Sequence, residues 1–253
     1  MTNYALLDYD GFICKAFYAA TKNGETDIES ALAILDSLTE AAISKAQSFT
    51  GTEVEVCKYV SSHTLKKDFF PSYKAKRKKN DLLGDFRDVI IDVHDCLKID
   101  GFEADDLIYT QIADKGQSNC LVFSDDKDMV DFSRYLCGIN LTEEPIELDP
   151  NESFKRQCIH YLKGDKEDNI EGIPQIGEAK ASKIANNADI PILKFHDFIF
   201  EEYKKHGVSF EEAVKNVYLL TPVYVHSRMR SVNCHKIILT DIIEKAMNIY
   251  ADE

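Results

Sequence analysis

What this sequence has little of narrows its class first. No apolar run approaches the roughly 18 residues that a membrane-spanning helix requires, so no membrane span is expected. The first residues, Met1-Thr2-Asn3-Tyr4, lack the basic start and long apolar stretch of a signal peptide. The seven cysteines include no C-x-x-C pair, and the seven histidines show no zinc-ligand spacing. Reduced, buried thiols in a cytoplasmic protein are therefore expected, and a zinc site is not. Repeats and low-complexity segments are absent as well. Positive charge is scarce: 30 Lys and Arg stand against 44 Asp and Glu, for a net charge of −14. Spread evenly, that balance argues against a nucleic-acid partner.

The charge is not spread evenly. Between Lys66 and Lys79 lie Lys66, Lys67, Lys74, Lys76, Arg77, Lys78 and Lys79, with Asp68 the single acid. Phe69, Phe70 and Tyr73 are interleaved with them. A basic run with aromatics reads either as a local phosphate-binding segment or as a solvated charge run. The 253 residues, 44% hydrophobic and 29% charged, are enough for one large domain or a domain plus a smaller one.

Taken in order, Tyr4-Ala5-Leu6-Leu7 reads as a buried strand that hands over to Asp8. In open α/β sheets ligands gather at the carboxyl ends of strands, which makes Asp8 a candidate site residue. Phe12 to Ala20 reads as a helix or turn carrying Lys15. Thr26 and Glu29 make a capping box, and Ile28, Ala31, Leu32, Leu35 and Leu38 follow at helical spacing over 27–47. Val54 to Val60 reads as a second strand, completing a βαβ unit. Segment 61–80 has no clear period and is expected as a loop or short helices. Leu82 to Leu97 predicts a helix over 82–98, and Glu103 to Lys115 another. Cys120-Leu121-Val122-Phe123 reads as a third strand, again ending in acids, Asp125, Asp126 and Asp128. Tyr135 to Ile139 reads as an edge strand and 140–148 as a connector. From Asp149-Pro150 the signals turn helical, so the main boundary is placed near 149. Three regions result: an α/β core over 1–148, a helical region over 149–220, and an extension over 221–253 in which Thr221 to Val225 could return a strand.

Two stretches carry chemistry. In Gly101-Phe102-Glu103-Ala104-Asp105-Asp106-Leu107-Ile108, three carboxylates fall within four residues. Such a stretch is either a solvated helix N-terminus favoured by the dipole or a cluster that needs cations to hold it together. The second stretch, Gly164 to Ile184, contains Asp165 and Asp168 and then Gly172-Ile173-Pro174-Gln175-Ile176-Gly177 between helical patterns. Its glycines let backbone N–H groups approach a phosphate at the start of a helix, where Lys180 and Lys183 add charge.

Together these segments resemble the flap endonuclease / 5′→3′ exonuclease family, which includes the 5′-nuclease domain of bacterial DNA polymerase I and compact phage enzymes. The resemblance runs from about residue 4 to residue 190 in one order of motifs. It comprises Leu7-Asp8, Lys15-Ala16-Phe17-Tyr18, Tyr73-Lys74-Ala75-Lys76-Arg77, the E-A-D-D at Glu103–Asp106, Ser124 to Asp128, and Gly164 to Gly177.

The resemblance implies a PIN-like or Rossmann-like, mostly parallel sheet flanked by helices. A helical arch from 61–80 and a helix–three-turn–helix at Gly172–Gly177 would complete it. It implies two Mg²⁺ ions, replaceable by Mn²⁺, with Asp8, Glu103 and Asp105 as one cluster. Asp126, Asp128, Asp165 and Asp168 would form the other, with Asp106 near both. Lys74 and Arg77 would reach the scissile phosphate, Tyr73 would stack on a base, and Lys15 and Lys76 would contact the nucleic acid. Gly172, Ile173, Gln175, Gly177, Lys180 and Lys183 would hold the duplex backbone, with K⁺ as an extra ion at the turn. The expected activity is a structure-selective, sequence-independent 5′ nuclease acting on duplex DNA with a 5′ end or flap, or on an RNA–DNA hybrid. A monomer working with replication proteins in a bacterial or phage-infected cytoplasm fits the same family. One departure stands out: the metal-binding Asp usual after the second strand is missing from Tyr59-Val60-Ser61-Ser62-His63, and Asp10 reads more readily as a helix N-cap than as a replacement ligand. The competing expectations are a DNA-binding member with weakened catalysis and a PIN-like ribonuclease.

Overall fold

The computed structural model describes residues 3–22, 25–78, 80–188 and 194–251. They fall into two compact units, Met1–His63 with Lys78–Asp149 and Thr64–Arg77 with Pro150–Glu253.

The first unit opens with β1 (Tyr4–Asp8), α1 (Tyr9–Ala19), a hairpin of β2 (Thr21–Lys22) and β3 (Glu25–Thr26), α2 (Ile28–Thr50) and β4 (Glu55–Tyr59). The chain visits the second unit through α3 (Leu65–Phe69) and returns with α4 (Asp81–Val93), α5 (Ala104–Lys115), β5 (Cys120–Phe123), β6 (Tyr135–Cys137) and β7 (Ile146–Glu147). The sheet order is β4-β1-β5-β6-β7, parallel except for β7. The chain leaves β1 in one direction to reach β4 and later returns to its other side as β5. The carboxyl end of β1 is therefore a topological switch point.

Alternation along β1 sends Ala5 and Leu7 to one face and Leu6 to the other. Ala5 and Leu7 join Phe12, Ile13, Leu35, Phe86 and Ile90 in one apolar cluster. All three β1 residues are completely buried, which is why the strand reads as an unbroken apolar run rather than an alternating one. Each large side chain so buried contributes about 2 kcal/mol. α5 packs against β1 and β4, and α1 packs against α2 and α4.

Three local expectations are corrected. α2 is capped by Asp27, whose carboxylate accepts from Glu29 N at 3.1 Å and Ser30 N at 3.3 Å. Thr26 is withheld from that role because it pairs with Thr21 in the β2–β3 hairpin. α4 stops at Val93, because Asp95 turns into the left-handed region (φ 52°) and Leu97 bridges Tyr59 alongside β4. β6 is not the edge: β7, within the expected connector, pairs with it antiparallel.

The second unit is helical among its described residues. α6 (Pro150–Lys163), α7 (Glu178–Asn187), α8 (Phe195–Lys205), α9 (Phe210–Leu220) and α10 (Ser231–Tyr250) follow one another. Its core includes Tyr161, Ile199, Phe200, Tyr203, Val217 and Tyr218. Buried tyrosines find acceptors inside it: Tyr203 donates to Tyr161 O at 2.7 Å and Tyr250 to Val208 O at 3.0 Å. No strand forms over Thr221–Val225; instead α10 packs on α8 and α9 and buries Ile242 and Ala246. Between β4 and α4 the described residues hold only the five-residue α3 and a run of turns, so no longer arch helix is present there. Phe69 and Phe70 of that stretch lie 6.1 and 5.7 Å, centroid to centroid, from Tyr218. All seven cysteines are free thiols, and burial pushes Cys120 up to about 11 and Cys158 up to about 12.

Candidate metal centre and nucleic-acid interface

The first unit gathers acids at the carboxyl ends of its strands. Asp8 closes β1, and its Oδ2 accepts from Ser124 Oγ at 2.7 Å, just beyond β5. The same hydroxyl oxygen accepts from Asp126 N at 3.0 Å, so Ser124 joins the ends of two neighbouring strands. Asp126 in turn accepts from Asp128 N at 2.9 Å and starts a short 3-10 turn. Burial pushes the Asp8 carboxyl up to about 7. The Ser124 bond pulls against this, while the charges of Asp10 and Asp126 push it further. A carboxyl in that condition takes up either a proton or a cation.

The acidic stretch lies at the start of α5. Glu103 is the N-cap and is buried. Asp106, fully buried, accepts from Glu103 N at 3.2 Å and thereby orients its neighbour from inside the fold. Asp105 accepts from Asp106 N at 2.9 Å. The positive end of the α5 dipole tolerates this crowding, which is the bland reading of the stretch. Ser61, in the place where the expected acid is missing, accepts through Oγ from Ala104 N at 3.0 Å. Asp10 is occupied elsewhere, with Ser61 N donating to it at 2.7 Å and Arg87 Nε at 2.5 Å. Both of its carboxylate oxygens are engaged in these bonds. Lys15 Nζ is bonded to Asn140 Oδ1.

These donors are oxygens alone. Hard divalent cations prefer such sets, and the raised Asp8 carboxyl marks negative charge that the fold itself does not neutralise. The residues therefore fit a hard divalent cation.

In the second unit the basic pair is anchored on an acid of its own. Asp168 Oδ1 accepts from Arg77 Nη2 at 2.5 Å, its Oδ2 lies 3.5 Å from Lys74 Nζ, and Asp168 O accepts from Lys74 N at 3.0 Å. Asp165, also buried, caps the turn by accepting from Glu167 N at 2.8 Å. His160 Nε2 lies 3.8 Å from Asp165 Oδ2. The sequence offered no zinc-type spacing to flag that histidine. Two expectations change here. Tyr73 is 3% exposed, a member of the apolar core with Lys74 Nζ 4.8 Å from its ring centroid, so no base can stack on it in this conformation. Ile173 is buried too, and its N–H is given to Leu162 O at 2.8 Å rather than to a phosphate.

The turn itself explains its glycines. A Cβ on Gly164 would stand 2.4 Å from Gly172 N, and both residues have positive φ (73° and 63°). Two backbones pack where no side chain fits. Gln175 (φ 64°) and Gly177, the N-cap of α7, stay exposed, as do Lys76, Lys180 and Lys183. The first-turn N–H groups of α7 thus lie on a solvent-facing, lysine-bearing helix end, which suits an anion. A cavity of about 400 Å³ beside this turn is lined by Lys76, Lys166, Asn169 and Gly172 among others.

Known proteins are similar to this chain in sequence and in fold. A DNA polymerase I from Rhizobium leguminosarum is 27% identical over an alignment of 205 residues that covers 71% of this chain and 20% of the polymerase. The chain therefore spans about a fifth of that relative's length. The bacteriophage T5 5′-exonuclease with bound divalent metal ions (zinc) matches with a TM-score of 0.66 at 18% identity, over 96% of this chain and 99% of that one. The flap endonuclease-1 of Methanococcus jannaschii matches with a TM-score of 0.51 at 12% identity, over 99% and 93%. These two likenesses show a common fold, the mostly parallel sheet with flanking helices. The family model described as 5′-3′ exonuclease, N-terminal resolvase-like domain, matches residues 3–156, more than half the sequence, and the chain belongs to that family.

Proposed function

We propose that this protein is a metal-dependent 5′ nuclease that hydrolyses phosphodiesters at 5′ ends or flaps of duplex DNA without reading sequence. The observation that carries the reading is the Asp8–Ser124–Asp126 junction at the switch point of the sheet. There, neighbouring strand ends bring acids together and leave the Asp8 carboxyl raised to about 7. Asp8, Glu103, Asp105, Asp126 and Asp128 would hold divalent ions, Mg²⁺ or Mn²⁺, with Asp165 and Asp168 as the ligand candidates of the second unit. Bound ions of this kind supply a hydroxide at neutral pH and stabilise charge on the phosphorus oxygens. Three of these have a partner that orients them: Ser124 holds Asp8, Asp106 holds the Glu103 backbone, and Asp126 holds the Asp128 backbone. Lys74 and Arg77, kept side by side by Asp168, are suited to meet a phosphate that replaces that carboxylate. The exposed lysines of α7 and the turn before it would grip the duplex backbone, with K⁺ at the turn as a further candidate ion. The divalent metal ions bound to the T5 enzyme and the 5′-3′ exonuclease family itself lend support. RNA–DNA hybrids and replication proteins are candidate partners on the same ground.

Ser61 favours a second reading, a duplex binder with weakened catalysis, because it places a hydroxyl where the family resemblance expects a carboxylate. A 5′-labelled flap duplex in Mg²⁺ separates the two. The nuclease reading expects cleavage near the junction, lost in Asp126→Asn and reduced on the order of 100-fold in Lys74→Ala. Tight duplex binding without cleavage, in Mg²⁺ and in Mn²⁺, would hand the protein to the second reading.

A further inference from the structure

Three residues of the first unit form a connection that none of the roles above uses. Arg87, on α4, directs Nε to Asp10 Oδ1 at 2.5 Å and Nη2 to Ser61 O. Asp10 Oδ2 accepts from Ser61 N at 2.7 Å. The Ser61 peptide is therefore held on both sides, its N–H by the carboxylate and its C=O by the guanidinium. From there the connection runs to the acidic stretch. Ser61 Oγ accepts from Ala104 N at 3.0 Å, one of the N–H groups that an α-helix cannot satisfy in its own first turn. Ser62 extends it, donating its N–H to Phe102 O at 2.9 Å and accepting from Gly101 N through Oγ at 2.9 Å. Residues 61–62, just past β4, are thus zipped onto residues 101–104, just before and at the start of α5.

Sequence separation shows how much this one guanidinium organises. It joins positions 77 residues apart to a serine whose hydroxyl reaches 43 residues on. Asp10 and Arg87 are only 25% and 23% exposed, so the pair is partly withdrawn from water and bonded at two points rather than drifting on the surface. Both Asp10 oxygens are spoken for, which argues against a ligand duty for it. Arg cannot lose its proton, so the clamp carries the same charge at any working pH.

We propose that Arg87 is a positioning residue which, through Asp10 and Ser61, sets the start of α5 and so aims Glu103 and Asp105 for the metal. The proposal rests on the metal-dependent nuclease reading, and its consequence is a sign that charge alone would not produce. If the pair acted only through charge, removing Asp10 would weaken cation binding and removing Arg87 would tighten it. If it acts by position, both removals weaken it.

The test is Mn²⁺ binding by titration calorimetry on the full chain without DNA, alongside kcat and KM for flap cleavage. Wild type, Asp10→Asn, Arg87→Gln and the double variant are compared. Positioning predicts that each single change weakens Mn²⁺ by about tenfold, in the range seen when outer partners of metal ligands are lost. It also predicts that kcat falls with KM for the duplex little changed, and that the double variant is no worse than the weaker single, because the two act as one unit. Opposite shifts for Asp10→Asn and Arg87→Gln overturn the proposal, as do unchanged affinities. Should Arg87→Gln fail to fold, Arg87→Lys keeps the charge and loses the fork. A several-fold weakening there supports positioning, and wild-type affinity overturns it. A wild type that binds Mn²⁺ but cleaves nothing sinks the nuclease reading alone and leaves the affinity shifts to judge Arg87. No Mn²⁺ binding at all sinks both.

Discussion

Asp8 and Asp168 are both acids at the heart of their units, and the protein treats them in opposite ways. Asp8, at the end of β1, is met by a serine hydroxyl and by the fields of two other acids. Asp168, on the turn after α6, is met by a lysine and an arginine. Asp168 is balanced within its own unit, whereas Asp8 is left for something from outside to neutralise. A charge the fold does not balance is one that ligand binding can use directly, and a charge already balanced must first release its partners.

The sharpest way to break this contrast is to neutralise each acid in turn. Asp8→Asn is expected to lower flap cleavage by at least about 100-fold, yet to raise the melting temperature of the metal-free protein above about pH 7, since a costly desolvated charge disappears. Asp168→Asn is expected to lower that melting temperature, costing about 1–3 kcal/mol as Lys74 and Arg77 lose their acceptor. Equal signs in calorimetry would dissolve the distinction.

A smaller effect follows from pH. The folded Asp8 carboxyl titrates at about 7, well above its ordinary 3.8, so between those values the folded protein holds a proton that the unfolded chain releases. Its contribution to stability is complete below about pH 4 and is lost as the pH rises to about 7. Metal-free wild type should therefore show a decline across that window that Asp8→Asn lacks, read by denaturant unfolding at several pH values. Mn²⁺ affinity should rise over the same window, because metal displaces the proton. A parallel pH dependence in wild type and variant would show that Asp8 is not the group responsible.

The smallest expected change belongs to the exposed end of α7. Lys180→Ala and Lys183→Ala should each reduce the salt dependence of duplex binding by about one phosphate's worth, leaving kcat in place. A fall in kcat instead would give these lysines a part in the chemistry that their solvent-facing positions do not suggest.

How much of this could be read in advance depended on how local each cause was. Strand ends carrying acids were legible because a short apolar run that stops at Asp8 or Asp125 needs only its own period to be recognised. Gly164 and Gly172 were legible for a related reason, since a left-handed turn writes glycine into the chain. The α2 cap was half legible: Thr26 and Asp27 are both capping residues, and only the pairing of Thr26 with Thr21 gives the place to Asp27. Tyr73 was misread because an aromatic among lysines looks available for stacking, and nothing nearby tells that it is buried in the core with Tyr161 and Tyr218. Ile173 was misread likewise, its N–H taken by Leu162.

By itself, then, the sequence determined the kind of sheet, the order of its acids, the oxygen-only chemistry they offer and the turn that precedes α7. These are properties of neighbouring residues, and covalent proximity is enough to express them. Only the tertiary structure decided which acid keeps its charge unbalanced, which aromatic is buried, and that Arg87 reaches across 77 residues to clamp Asp10. Those outcomes depend on burial and on hydrogen bonds between distant segments, and both come into being only when the chain closes on itself.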